Sequence, residues 1–440
     1  MPPAISINPL VEILEIAWFP QDPGLLIGAN IDAPLAGTYT SRYAFEIGGW
    51  VLGRHSKAVS VELVHENRAL RKVPLQQARV DVEEHFPGST EARTCGFWTA
   101  VSVSGMRTEF EVLVQAVLED GTRVPLASIR GRHKQIGVTR KTGIQPLIVT
   151  TWGRSGSTLL MRLLLEHPQI VGFREYPYEA RIASYWLHLL KVLIEPSNHS
   201  ESTHPDDFTE DLQWIGHMPF YTEPLTLNPA LSTWLGKEYV EQAASFCHKS
   251  IQGFYRELAK AQKQRNVRYF AEKNHPTHTS WLFWELYPEA RELFLVRDFR
   301  DMVCSIFAFN QKRGFASFGQ KRASTDEEFL ELQRVGAECL LDSWRRRRAF
   351  ARLVRYEDLV LHPLETLAQI FTYLGLEHND SLTERALREA TAESPILHKH
   401  RTTPTIKDSI GRWQTDLSPD LQTRCHEAFG PMLKEFGYQV

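Results

Sequence analysis

Cysteine is scarce in this chain: 440 residues hold only Cys95, Cys247, Cys304, Cys339 and Cys425, with no Cys-x-x-Cys pair. That odd count and wide spacing argue against a disulfide framework or a cysteine zinc site and favour a reducing compartment. An excess of one charge is also lacking. Lys and Arg number 50 against 53 Asp and Glu, a formal net charge of -3. Global attraction to nucleic acid or an anionic membrane is therefore not expected, and any basic site must be local. No apolar run approaches the ~20 residues of a membrane span. The opening Met-Pro-Pro-Ala-Ile-Ser has neither the basic nor the apolar region of a signal peptide. These absences predict a cytoplasmic protein. Internal repeats and low-complexity tracts are missing too, and nothing indicates an oligomeric state.

What is present divides the chain. A length of 440 residues predicts two or three domains. Up to about residue 140 the pattern is β. Val59, Val61 and Leu63 alternate with Ser60 and Glu62, and Phe110, Val112, Val114 and Ala116 alternate with Glu111, Leu113 and Gln115. Asp120-Gly121 predicts a hairpin turn into Thr122 to Leu126, and further strands are expected at Tyr43 to Val51 and Gly96 to Val103. Short strands with regular turns predict a β-sandwich over residues 1–135. The basic, Gly-spaced stretch 136–145 is a predicted linker. From Pro146 to Val440 strand and helix alternate, which predicts a parallel sheet with helices on both faces. Residues 195–236 interrupt this pattern with Pro196, Pro205, Pro219, Pro224 and Pro229 and with Trp214, Phe220, Tyr221 and Trp234. An insertion lying over a site is expected there. Ala183 to Ile194 is the most apolar helix-like piece, but it contains His188 and Lys191 and is expected to line a core or groove.

The most informative stretch runs from Pro146 to Met161. Leu147 to Thr151 form a β-branched apolar strand. Gly153 and Gly156 permit a tight loop. Ser157 and Thr158 suit a helix start, and Leu159, Leu160, Leu163 and Leu164 give the helix an apolar face. A loop of this kind aims free N–H groups at one spot on the positive end of a helix dipole, which is a phosphate site. The Gly-x-x-x-x-Gly-Lys-Ser/Thr pattern of nucleoside triphosphatases is not met, because Arg154 precedes Gly156 and no Lys follows.

Three later segments bear on the same chemistry. Leu293 to Val296 is a buried strand ending at Arg297-Asp298, with Ser305 eight positions after the Arg. In open α/β sheets, ligands bind at such strand ends. Val354-Arg355-Tyr356-Glu357-Asp358-Leu359 is a second strand-to-helix passage, and Gly411-Arg412-Trp413 offers a close backbone approach beside a phosphate-suited guanidinium. Together with the Arg154 loop, these four segments resemble, in family order, sulfotransferases that use 3′-phosphoadenosine 5′-phosphosulfate (PAPS), the tyrosylprotein and carbohydrate type most closely. The resemblance covers roughly residues 145–440. Arg412 stands where the family has Lys.

The resemblance implies the following roles. Arg154 and the loop residues Ser155, Gly156, Ser157 and Thr158 hold the 5′-phosphosulfate. Arg297, Ser305 and Arg412 hold the 3′-phosphate, and Tyr356 contacts the adenine. Lys273, in Ala271-Glu272-Lys273-Asn274-His275-Pro276, neutralises the leaving oxygen. No metal is required, and the products are adenosine 3′,5′-bisphosphate and a sulfated acceptor. A hydroxyl acceptor needs a general base. Glu175 falls at the family's position, though its Tyr-Pro neighbours differ, and Glu179, His275 and His278 are alternatives. The implied acceptor is a glycan or glycolipid hydroxyl, with a tyrosyl peptide or small metabolite as the alternative. The run Arg345 to Arg348 either attracts an acidic acceptor or forms a solvated helix face. Two readings lie outside the family. A P-loop kinase lacks its Lys and magnesium carboxylate here, and a degenerate nucleotide-binding module would not need Lys273 and a base together.

Overall fold

The computed structural model describes residues 9–66, 68–137, 143–195, 229–276, 281–392 and 401–439. Two compact units make up the chain. One comprises Met1–Thr139, Trp186–Lys249 and Ser280–Leu286. The other comprises Arg140–Tyr185, Ser250–Thr279 and Tyr287–Val440.

In the first unit, nine strands among the described residues form two antiparallel sheets. β1 (Val11–Trp18), β2 (Leu26–Ala33), β3 (Tyr39–Thr40) and β4 (Ala44–Gly53) are followed by β5 (Ala58–His65) and β6 (Arg68–Pro74). β7 (Gly96–Ser102), β8 (Glu109–Leu118) and β9 (Arg123–His133) complete the set. The strand orders are β3-β1-β9-β8-β5-β6 and β2-β4-β7. Phe45 of β4 stacks on Phe110 of β8 with ring centroids 5.5 Å apart. Arg71 of β6 donates to Thr99 Oγ1 of β7 at 3.1 Å. The sheets thus face each other across an apolar layer, as the alternation along β8 predicts: Phe110, Val112, Val114 and Ala116 are all buried. The Asp120-Gly121 hairpin is present. Gly121 sits at φ +86°, and Asp120 Oδ1 accepts the Thr122 N–H at 2.9 Å. β2 and β6 escaped the sequence reading because Leu26–Ala33 carries Gly28 and Asn30 and β6 is rich in Arg and Lys, both unlike strand composition.

The second unit is built on one five-stranded sheet. β10 (Gln145–Thr151), β11 (Ile170–Val171), β12 (Tyr269–Asn274), β13 (Arg291–Val296) and β14 (Ala351–Arg355) lie in the order β11-β12-β10-β13-β14. Every pairing is parallel. Side chains of alternate parity feed two cores. Leu147, Val149, Leu293 and Leu295 pack with Leu160, Leu163 and Leu164 and with Leu367, Ile370 and Phe371. Phe294 and Val296 pack on the other side with Phe299, Met302, Leu340 and Phe429. Helices Ser157–Leu165 and Pro363–Tyr373 therefore cover one face, and helices Phe299–Arg313, Asp326–Arg347 and Pro419–Glu435 cover the other. β10, paired on both sides, is buried along its whole length, as a central parallel strand must be.

The four-Arg run divides. Arg347 is buried, and its Nε donates to Glu292 Oε2 at 2.8 Å. Arg345 pairs with Glu435 at 3.0 Å on the surface. The expected insertion falls mostly on 196–228, outside the described residues, as do His278 and the middle of the expected linker. Among the described residues, no helix is long and apolar enough to cross a membrane.

Candidate active site

The C-terminal ends of β10, β12 and β13, with the start of the helix after β14, open into one cavity of about 1280 Å³. This is where a parallel sheet offers its ligand site, because helix N-termini and strand-end loops converge there. Every described residue of the lining belongs to the second unit.

The loop after β10 forms its floor. Arg154 adopts φ +62° and Gly156 φ +90°. A Cβ at Gly156 would lie 2.2 Å from the Tyr356 ring, so this position is closed to any larger residue. Helix Ser157–Leu165 begins directly after it, and its first residues, Ser157, Thr158 and Leu159, line the cavity. Ser155 is turned inward: its hydroxyl donates to Trp152 O at 2.8 Å and pairs with Thr151.

Two arginines meet over this floor. Arg297, at the end of β13, is 4% exposed. It stacks on Tyr356 with its guanidinium carbon 4.7 Å from the ring centre. It donates to Arg154 O at 3.1 Å and to Ser409 O at 2.5 Å. Its Nε is buried without a partner among the described residues. Arg154 donates from Nε to Ser305 Oγ at 3.1 Å and lies 4.4 Å from the Phe309 ring centre. Burial, reinforced by the charge of Arg297, pushes the Arg154 guanidinium down to about 10. A buried donor with no acceptor beside a second, mutually repelling cation calls for an anion. Among the described residues, nine Lys and Arg side chains line the cavity against one carboxylate, Glu179.

At the end of β12, Lys273 is 3% exposed. Its Nζ donates to Pro177 O at 2.7 Å, to Glu179 Oε1 at 3.1 Å and to Thr158 Oγ1 at 3.4 Å. Burial lowers its pKa, and Glu179 opposes that shift. Glu179 lines the cavity, whereas Glu175 is exposed and outside the lining. His275 also lines it, its ring 4.4 Å from that of Trp152.

The fourth segment sits differently from the sequence reading. Arg412 forks onto Asp416, with Nε 2.6 Å from Oδ2, and donates to Thr402 at 3.0 Å; it is not part of the lining. Ser409 is, and it bonds the Tyr356 hydroxyl at 2.9 Å. Trp413 is packed in the adjoining core under Arg300, whose guanidinium carbon is 4.0 Å from the indole. Asp301, which the sequence reading passed over, anchors this loop by accepting from Gly411 N at 2.7 Å and Trp413 N at 3.0 Å. Burial pushes its carboxyl up to about 6.

Gln333 was also missed. It is 4% exposed. Its Oε1 accepts from Trp152 Nε1 at 2.8 Å and its Nε2 donates to Phe318 O at 2.9 Å. No local pattern in helix Asp326–Arg347 distinguishes it from a surface glutamine.

The sequence pattern of the sulfotransferase family matches residues 146–380. A 91-residue stretch is 32% identical to carbohydrate sulfotransferase 1 of Homo sapiens, covering 20% of this chain and 22% of that protein. A 164-residue stretch is 27% identical to carbohydrate sulfotransferase 3 of Mus musculus, covering 34% of each. The chain thus spans about a third or less of the length of these curated relatives. Among solved structures, the sulfotransferase domain from the curacin biosynthetic pathway is similar at 14% identity and a TM-score of 0.42, over 68% of this chain and 100% of that one.

Proposed function

The chain belongs to the sulfotransferase family, and from that premise we propose that it moves a sulfuryl group from PAPS to a hydroxyl on a glycan or glycolipid. The observation that carries this reading is the convergence of Arg154, Lys273, Arg297, Ser305 and Tyr356, from four separate segments, on one cavity rich in cations. The matched stretches of carbohydrate sulfotransferases support the acceptor class.

The residues present suit such a donor. Gly156 leaves room for close backbone approach, and the unpartnered Arg297 Nε awaits an anionic oxygen. Arg154 and the N–H groups at Ser157 and Thr158 would hold the 5′-phosphosulfate, while Arg297 and Ser305 would hold the 3′-phosphate. Tyr356, wedged between Gly156 and Arg297, would fix the nucleotide's position. The donor supplies a sulfuryl group on a phosphosulfate anhydride, transferred by in-line displacement.

For that displacement the protein provides positioning and electrostatics. Lys273 supplies a cation for the oxygen that the sulfuryl group leaves. Glu179, in the cavity lining and 3.1 Å from Lys273, would take the acceptor's hydroxyl proton. The test is transfer of labelled sulfuryl from PAPS to a panel of mono- and disaccharides, phenols and tyrosyl peptides. Labelled saccharide, lost in Lys273→Ala, is the expected result. Label only on phenols or peptides, or none at all, would contradict the proposal.

A further inference from the structure

The cavity carries more positive charge than the donor site uses. We propose that the acceptor is itself anionic, with a sulfate, carboxylate or phosphate group held by Arg313, Lys321 and Arg322. This rests on the sulfotransferase reading of the cavity and names the substrate class more narrowly.

All three cations line the cavity, and none has a carboxylate partner among the described residues. Arg313 closes helix Phe299–Arg313. Lys321 and Arg322 lie on the short turn Gln320–Arg322 that follows. Arg313 stacks between aromatic supports, 5.1 Å from the Phe309 ring centre and 4.4 Å from that of Phe315. Stacking fixes a guanidinium's plane and leaves its N–H edge available to a planar or tetrahedral anion. Phe309 also carries Arg154, so the two guanidiniums share one ring. Through that shared ring, Arg313 is close to Arg154.

The strap that carries these cations is built to hold its shape. Buried Asn310 donates to Ser317 O at 3.1 Å and to Gln320 Oε1 at 2.5 Å. Buried Gln333 donates to Phe318 O at 2.9 Å while accepting from the loop residue Trp152. The Phe318 ring lies against Gly153, where a Cβ would meet it at 2.8 Å. Phe318 also takes a left-handed φ of +53°, unusual for a bulky side chain. Two buried amides and a strained residue spent on a surface connection indicate that its geometry matters. Cations without a carboxylate partner among the described residues, on a fixed strap in the cavity lining, will attract a negative group and repel a positive one.

The test uses the full chain saturated with adenosine 3′,5′-bisphosphate. N-acetylglucosamine 6-sulfate and N-acetylglucosamine are titrated separately and followed by saturation-transfer NMR, for the wild type and for Arg313→Gln/Lys321→Gln/Arg322→Gln. The sulfated sugar should bind at least about tenfold more tightly, as charge-assisted contacts provide. The triple variant should lose that preference while keeping the wild-type affinity for the bisphosphate. Equal affinity for the two sugars, binding of neither, or an unaltered preference in the variant would overturn the proposal. Weakened bisphosphate binding in the variant would also overturn it by assigning the three cations to the donor. If the wild type fails to bind the bisphosphate, the sulfotransferase reading of the cavity itself falls.

Discussion

Lys273 Nζ lies 3.1 Å from Glu179 Oε1, on the wall of a cavity in which Glu179 is the sole lining carboxylate among the described residues. If this pair performs the proton and charge transfers, Glu179→Gln should lower kcat by roughly 10²–10⁴, the range for losing a general base. Bisphosphate affinity should change little. Glu175→Gln should stay near wild type, since Glu175 lies outside the lining. Steady-state kinetics of the two variants separates the carboxylates.

The same site predicts a pH dependence. Burial lowers the Lys273 pKa, so its ammonium is lost as pH rises through a value below that of an ordinary lysine. The profile of kcat/KM, which reports the free enzyme, should therefore turn down on the alkaline side before about 10.4. Lys273→Arg should move that limb up toward the value of about 10 at which burial holds Arg154. A limb that stays put in the variant would assign it to another group.

Gly156 predicts a coupled steric effect. Gly156→Ala places a Cβ 2.2 Å from Tyr356 at a φ of +90°. The left-handed conformation alone costs about 1–2 kcal/mol, and the clash adds to it. Denaturant unfolding of Gly156→Ala and Gly156→Ala/Tyr356→Ala should show the second change relieving the clash but not the φ cost.

In the β-rich unit, Glu285 is buried and its carboxyl is pushed up to about 8, although Gly105 N donates to it at 2.6 Å. A carboxyl raised in the folded state binds its proton more tightly there than in the unfolded chain. Its contribution to stability is thus complete below the unfolded value of about 4.3 and is lost as pH rises through about 8. Glu285→Gln should flatten the melting temperature over that interval and melt higher than wild type at pH above 8. A parallel pair of curves would refute this assignment.

Arg347 and Glu292 form a buried ion pair. Removing one partner leaves the other charge uncompensated, so Arg347→Met should cost about 3–5 kcal/mol. Arg345→Ala, at an exposed pair, should cost no more than about 1 kcal/mol. Chemical denaturation distinguishes the two.

Much of this architecture was legible in the sequence because it depends on local chemistry. The strand-loop-helix passage at Gly156 and the strand ending at Arg297 are written in contiguous residues, and β10 and β13 stand where their apolar runs predict. What was not legible depends on side chains meeting across the fold. Arg412 suits a phosphate in isolation, but Asp416 and Thr402 occupy its fork. Gln333 and Asp301 gain their roles from backbone and indole groups far away in sequence. The Arg345 to Arg348 run looks uniform, yet a helix turns its members by about 100° each, so one reaches Glu292 in the core and another the surface.

The measurement that tests the central claim most directly is a calorimetric titration of the protein with adenosine 3′,5′-bisphosphate, with ADP and magnesium ATP as controls. The account predicts tight binding of the bisphosphate, weak binding of both controls, and loss of binding in Arg297→Ala. A preference for magnesium ATP, or no bisphosphate binding by the wild type, would contradict it.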